Sequence, residues 1–302
     1  MATVGFFSSE PDADLSYRNI REATNDFTRA AREKCEALWE LYEPYADKEF
    51  LIEIRNNFDA RYWEMYLTTF LIQEGYKVVC PKPGPDVGIM FEGRRIWFEA
   101  TAPTRGAVGA PDQVPEAKLT RLGETPVFQD TPNERMILRY LNSISEKYNK
   151  QYPNWLKSKI VGSDDAFVIA INPRRLGHEF GDTVPPRILQ AAFAIGAPYA
   201  VINSRTMEQV SAGYQFRDKI IKNSGKPVST GVLHLEEYSG LSSLLCSRVD
   251  AVNQPNEMGA DFQLVPNPWA RAPLPQSFRL KGTFFQIQHK DDDLVAIPEI
   301  NR

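Results

Sequence analysis

One short stretch constrains this chain more than any other: Ile96-Trp97-Phe98-Glu99-Ala100-Thr101, where a carboxylate interrupts a run of large apolar residues. Such a run reads as a strand with at least one face in the core. An ionised carboxylate placed there without a partner loses on the order of several kcal/mol of hydration, so Glu99 has to be paired, protonated or bound to a cation. Thirteen residues earlier, Asp86 follows Gly84 and Pro85. Val87 to Phe91 and Arg95 to Thr101 read as a hairpin turning at Glu92 and Gly93, with Asp86 opening its first strand. A two-strand ladder can therefore bring both carboxylates to one end. Two such groups suit a hard cation, magnesium or manganese, which prefers carboxylate, water and phosphate oxygens.

The flanking sequence predicts an α/β chain. Ile20, Phe27, Ala31, Ala37, Leu38 and Leu41 recur at helical spacing between Tyr17 and about Tyr42. A second helix is expected from Phe58 to Gln73, closed by Gly75, and then a strand from Tyr76 to Cys80. The prolines of Pro81 to Pro85 turn the chain before Asp86. A Pro-, Gly- and Thr-rich loop runs to about Asp130. Beyond it lie a helix Asn133 to Gln151, a buried strand Ala166 to Asn172, a helix near Pro186 to Ile195 and a strand Tyr199 to Asn203. The organisation read from this is an N-terminal helical extension over residues 1–56, a core over 57–205 and a C-terminal, strand-rich α/β extension over 206–302.

Composition enters as a set of exclusions. Hydrophobic residues make up 42% of the 302 residues, yet no apolar run approaches the ~20 residues that span a bilayer. The N-terminus lacks a basic start followed by an apolar stretch, so no secretory signal is expected. Three widely spaced cysteines, Cys35, Cys80 and Cys246, fit reduced thiols in a cytoplasmic setting. The net charge of −4 leaves no global basic footprint for nucleic acid. Between Lys118 and Arg175, however, ten basic residues face six acidic ones.

The run Gly84-Pro85-Asp86-Val87-Gly88-Ile89, followed by Trp97-Phe98-Glu99-Ala100-Thr101, resembles the motif of the PD-(D/E)XK, restriction-endonuclease-like nucleases. The resemblance covers about Phe58 to Asn203. It implies a mixed central sheet flanked by helices, with Asp86 and Glu99 holding a catalytic metal that promotes phosphodiester hydrolysis, DNA being the expected substrate. Where the family pattern has a lysine, this chain has Thr101. In the family a preceding helix often supplies a further acid, and Glu64 stands there, bordering an apolar arc of Ala60, Trp63, Leu67, Phe70 and Leu71. As a metal ligand it would lean towards the site; as an ordinary boundary residue it would sit in a salt bridge.

The helix from Asn133 carries an apolar stripe of Met136, Ile137, Tyr140, Leu141, Ile144 and Tyr148 that also contains Lys147 and Gln151. In branches of the superfamily the catalytic lysine has moved to a neighbouring helix, which makes Lys147 the candidate replacement. The alternative is a lysine at the stripe's edge that extends its ammonium to water. Likewise Asp86 has the alternative of a turn residue, and Glu99 that of a structural ion pair with Arg61 or Arg95. The candidate catalytic set is thus Asp86, Glu99, Lys147, Glu64, Thr101 and Gln151, and Lys118, Arg121, Arg135 and Arg139 are candidates for phosphate contacts.

A rival expectation is a nuclease fold that has lost catalysis and binds nucleic acid or a protein. A homodimer would suit cleavage of two strands. Asn223-Ser224-Gly225-Lys226 lacks the spacing of a phosphate-binding loop, and His178, His234 and His289 lack zinc-ligand spacing.

Overall fold

A computed structural model of the chain describes residues 5–118, 125, 129–178, 181–290 and 293–301. The N-terminal helices are α1 (Leu15–Glu22), α2 (Asp26–Tyr42), α3 (Phe50–Glu53) and α4 (Phe58–Gln73). The helix expected from Tyr17 to Tyr42 is two helices. Ala23 takes a left-handed conformation, and Asn25 starts α2 by a reciprocal cap with Thr28, which satisfies N–H groups at a new helix start. Asp14 serves two helices at once: Oδ1 accepts from Ser16 and Tyr17 at the start of α1, and Oδ2 accepts from the N–H of Phe58 at the start of α4.

Next come β1 (Val87–Phe91) and β2 (Arg94–Thr101), joined through Glu92 and Gly93, both at positive φ as a tight hairpin turn requires. The strand expected over Tyr76–Cys80 is reduced to one bridge between Val79 and Gly88. Pro81 and Pro83 follow at once, and a residue without an N–H cannot continue a ladder. The remaining elements are α5 (Asn133–Glu146), α6 (Tyr152–Lys157), β3 (Ala166–Ile171), α7 (Arg187–Phe193), β4 (Ile195–Ile202), β5 (Gln209–Phe216), β6 (Lys219–Ile221), β7 (Pro227–Ser229), β8 (Ser243–Cys246), β9 (Gln263–Pro266), β10 (Gly282–Lys290) and β11 (Asp293–Asn301). The helix expected to reach Gln151 is α-helical only to Glu146; Lys147–Gln151 forms a π turn that leads into α6.

Seven strands make one mixed sheet in the order β1-β2-β3-β8-β9-β10-β11. Strands β2, β3 and β8 run parallel at its centre. Alternation along the strands divides the core. On β2 and β3, Ile96, Phe98, Ala100, Ala166, Val168 and Ala170 pack with Trp63, Tyr66 and Leu67 of α4. Trp97, Phe167, Ile169 and Ile171 pack on the other side with Met136, Ile137 and Tyr140 of α5. Helix α4 is pinned to the sheet by Trp63 Nε1, which donates to the carbonyl of Ala170 at 2.9 Å.

Strands β4 and β5 stand apart as a two-stranded ribbon. The strand expected at Tyr199–Asn203 therefore exists but does not join the central sheet. Among the described residues no helix is long and apolar enough to cross a membrane.

Candidate functional site

The register of the first hairpin sets the site. Val87 pairs with Phe98, which leaves Asp86 and Glu99 one step further along adjoining strands. Opposed positions in an antiparallel pair lie about 5 Å apart at Cα, so the thirteen-residue separation in sequence becomes a neighbour relation in space. Gly84 makes the preceding turn possible, since a Cβ there would lie 2.5 Å from the Pro81 ring. As β1 begins only at Val87, the N–H of Ala100 is free to donate to Asp86 Oδ2 at 2.7 Å.

Glu99 shares its face of β2 with Trp97 and Thr101, the face that looks towards α5. It is only 3% exposed. From the π turn after α5, Lys147 reaches back and donates to Glu99 Oε1 at 2.5 Å. Glu99 Oε2 and, one helical turn beyond Lys147, Gln151 Oε1 are buried without a hydrogen-bond partner among the described residues. These atoms border a pocket of about 590 Å³ whose lining includes Glu64, Asp86, Glu99, Thr101, Lys147 and Gln151. All six sequence-derived catalytic candidates thus meet in one cavity. The π turn is itself a pointer, because such irregularities concentrate at functional sites.

The charges in the pocket are in tension. Burial, and then the negative charges of Glu99 and Glu64, push the Asp86 carboxyl well above the usual range, against the opposing pull of Lys147. Asp86 keeps some contact with solvent at the pocket, but its surroundings are mostly protein. Burial also raises Glu99, with Lys147 opposing. Burial works against the charge of Lys147, yet Glu99 and Asp86 outweigh it, and the amine is held above its ordinary value. Two carboxyls and one ammonium leave a net demand for positive charge whenever both acids ionise.

Glu64 occupies a different setting. It comes from α4, on the opposite side of the sheet from α5, and its carboxylate accepts from Tyr42 Oη at 2.8 Å, from Lys82 Nζ at 3.3 Å and from Arg61 Nη1. Arg61 also bridges to Glu53, and Lys82 to Asp47 at 3.4 Å. Among the described residues no three His, Cys, Asp or Glu side chains are placed to hold a metal ion together. The pair Asp86 and Glu99 does suit a hard cation that keeps several of its own waters, as magnesium does. The unpartnered Glu99 Oε2 is the atom that such an ion would satisfy.

The basic candidates lie elsewhere. Arg135 donates to the carbonyl of Gln113 and Arg139 to that of Thr104 at 2.6 Å, so both hold the loop after β2 against α5. Lys118 is exposed, and Arg121 lies outside the described residues. None of Lys118, Arg135 and Arg139 lines the pocket. Its cationic wall is instead Arg61, Lys82 and Arg175, which sequence reasoning did not select as site residues. Arg175 donates to Asn57 Oδ1 at 2.6 Å and is shared with an adjoining cavity of about 400 Å³ that Arg105 and Arg174 also line. A signal for Arg175 was present: it lies four residues past the end of the buried strand β3, and ligand sites gather beyond the C-terminal ends of parallel strands. Arg95, considered as a partner for Glu99, lies over the Trp97 ring at 5.3 Å instead. No protein-family model matches this sequence, and comparison with curated proteins and with solved structures gives no match either.

Proposed function

We propose that this chain is a metal-dependent nuclease of the restriction-endonuclease-like type, hydrolysing phosphodiester bonds with DNA as the expected substrate. The observation that carries the reading is the meeting of Asp86, Glu99 and Lys147 in one pocket. Lys147 comes from 48 residues beyond Glu99 and supplies an ammonium beside a strand whose own position 101 is threonine.

Asp86 and Glu99 would hold magnesium or manganese; when bound, such an ion supplies charge against the phosphate and makes water more acidic. Lys147 holds its proton at Nζ and can donate it as a hydrogen bond to charge developing on the phosphate. Thr101 contributes a hydroxyl at the same strand end, and Gln151 an amide on the wall. Arg175 and Lys82 offer cations to the neighbouring phosphates of a strand entering the pocket. Glu64 acts on the Arg61 and Lys82 wall that it pairs with.

Cleavage of single-stranded DNA, double-stranded DNA and RNA is to be measured with magnesium, manganese or chelator. Metal-dependent cleavage is expected for the wild type. Asp86→Ala should abolish it, and Lys147→Ala should lower kcat by about 10²-fold or more. Adding Thr101→Lys to Lys147→Ala should restore part of the rate, since it returns an ammonium to the same face of β2. Undiminished cleavage by a folded Asp86→Ala protein would remove the assignment.

Thr101 also favours a second reading, a binding scaffold without catalysis. That scaffold would bind nucleic acid or a protein partner equally well with Glu99→Gln and would take up no manganese, which calorimetry reads directly.

A further inference from the structure

The loops that leave the parallel strands of the sheet enclose a second cavity. Strands β2, β3 and β8 run the same way. Arg105, Arg174, Arg175 and Asp250 each lie three or four residues past the end of one of them, on the side where α/β sheets gather ligands. With α1 and the start of α4 these loops surround about 400 Å³. Arg175 lines this cavity as well as the pocket of Asp86 and Glu99. The volume falls within the roughly 300–1,000 Å³ of small-molecule sites.

Most polar groups of the wall are already engaged. Arg174 pairs with Asp250, whose other oxygen accepts from the N–H groups of Val252 and Asn253. Arg105 donates to the carbonyl of Val114 at 3.0 Å and lies 3.7 Å from Glu116. Two groups differ. Arg175 bonds the neutral amide of Asn57 and pairs with no carboxylate among the described residues. The mostly buried carboxyl of Asp59 accepts no hydrogen bond among them. An acid in the first turn of a helix ordinarily serves the free N–H groups there, but Asp14 Oδ2 already takes the N–H of Phe58 at 3.0 Å. A carboxyl so placed destabilises the free protein, and N–H groups of a ligand would offset that. The cavity floor is apolar, with Ile20, Phe58 and Ala251 at most 4% exposed.

A fitting ligand brings an anion to Arg175, an N–H donor to Asp59 and a flat apolar body to the floor. A nucleotide has all three, since carboxylates accept from the exocyclic amines of bases. A free amino acid would match the two charges but not the floor. Continuity with the phosphodiester pocket through Arg175 also favours the nucleotide. A base enters such a cavity only when it is out of the stack.

We propose that this cavity seats one unpaired nucleotide of the substrate strand, its phosphate on Arg175 and the exocyclic amine of its base on Asp59. The proposal rests on the nuclease reading and adds a substrate class to it: single-stranded or locally opened DNA with cytosine, adenine or guanine, and not thymine, at this position.

Calorimetric titration of the full chain with dCMP and with dTMP, in chelator, tests the cavity without any cleavage. The wild type should bind dCMP about 10-fold tighter than dTMP, the scale of one base-edge contact. Asp59→Ala should bring dCMP to the dTMP level, and Arg175→Gln should weaken both alike. Equal affinities in the wild type, no binding of dCMP, or a preference that survives Asp59→Ala overturns the proposal. Should Asp59→Ala disturb the circular dichroism spectrum, Val252→Trp decides, at a lining position that is 51% exposed. The added ring should block dCMP, and unchanged binding overturns the seat. The two readings fail separately: a protein that cleaves DNA without any dCMP preference keeps the nuclease and loses the cavity. One that cuts nothing yet binds dCMP through Asp59 keeps the cavity as a nucleotide site.

Discussion

Two hairpins in this protein have similar sequence character and opposite fates. The β1–β2 hairpin and the β4–β5 ribbon are both antiparallel pairs rich in large apolar residues. In the first, Val87, Ile89, Ile96 and Phe98 are at most 1% exposed; in the second, Tyr199, Val201, Tyr214 and Phe216 are all at least 44% exposed. The difference lies in what each hairpin meets. Strand β2 has β3 as a parallel neighbour and helices on both faces, so a charge inside it, Glu99, sits in surroundings that alter its chemistry. The ribbon has neither neighbour nor cover, and its side chains remain available to another molecule. Apolar pattern specifies that a strand will form; packing decides whether it becomes a site or a surface.

The comparison can be broken most sharply by truncating one phenylalanine in each hairpin. Phe98→Ala should cost about 3–5 kcal/mol in denaturant unfolding, because it removes a fully buried ring and leaves a cavity. Phe216→Ala should change the stability of the monomer by no more than about 0.5 kcal/mol. Equal costs would mean that the ribbon is packed against the body after all.

A smaller effect concerns charge at the start of α4, the helix that covers one face of the buried hairpin. Asp59, in the first turn of α4, has its carboxyl pushed up to about 6 by burial and by the neighbouring Asp14. Its folded value lies above the unfolded value of ~3.9, so its unfavourable contribution is absent at pH below ~4 and grows as pH rises through about 6. Asp59→Asn should therefore raise stability at pH 7.5 by about 1–2 kcal/mol, a range discounted because the residue keeps some contact with solvent, and should do little at pH 4. Thermal unfolding at the two pH values reads this, and a gain of the same size at both would exclude titration as the cause. No such pH dependence is expected from substitutions along the uncharged stretch of the ribbon.

The smallest effects lie in the turns. Gly93 adopts φ +77° with open space around a would-be Cβ, so Gly93→Ala should cost about 1 kcal/mol through backbone conformation alone. Met207 already holds a positive φ at the ribbon tip. Met207→Gly should stay within about 0.5 kcal/mol of wild type, strain relief being offset by unfolded-chain entropy.

Much of the site was readable because it is local. Asp86, the turn at Glu92–Gly93 and Glu99 lie within one hairpin, and a two-residue turn fixes the register between them. Lys147 was readable as an anomaly, a cation on an apolar stripe whose other members, Met136, Ile137, Tyr140, Leu141 and Ile144, are all buried. Arg61 and Lys82 were not selected, because each resembles any surface cation until its neighbours are known. Arg135 and Arg139 show the converse: a locally basic stretch whose guanidinium groups are occupied by carbonyls of the adjoining loop.

The sequence by itself determined the bounds of α4, the β1–β2 turn, the buried character of β3 and the need of Glu99 for a partner, since these follow from propensity, periodicity and solvation within a few residues. Only the tertiary structure decided that Lys147 is that partner, that Glu64 is held by Tyr42, Arg61 and Lys82, that β8 lies beside β3, and that β4 leaves the sheet. Each of these depends on contacts between residues far apart in the chain. Such contacts are selected by the free energy of the whole packed core, and no local pattern carries that quantity.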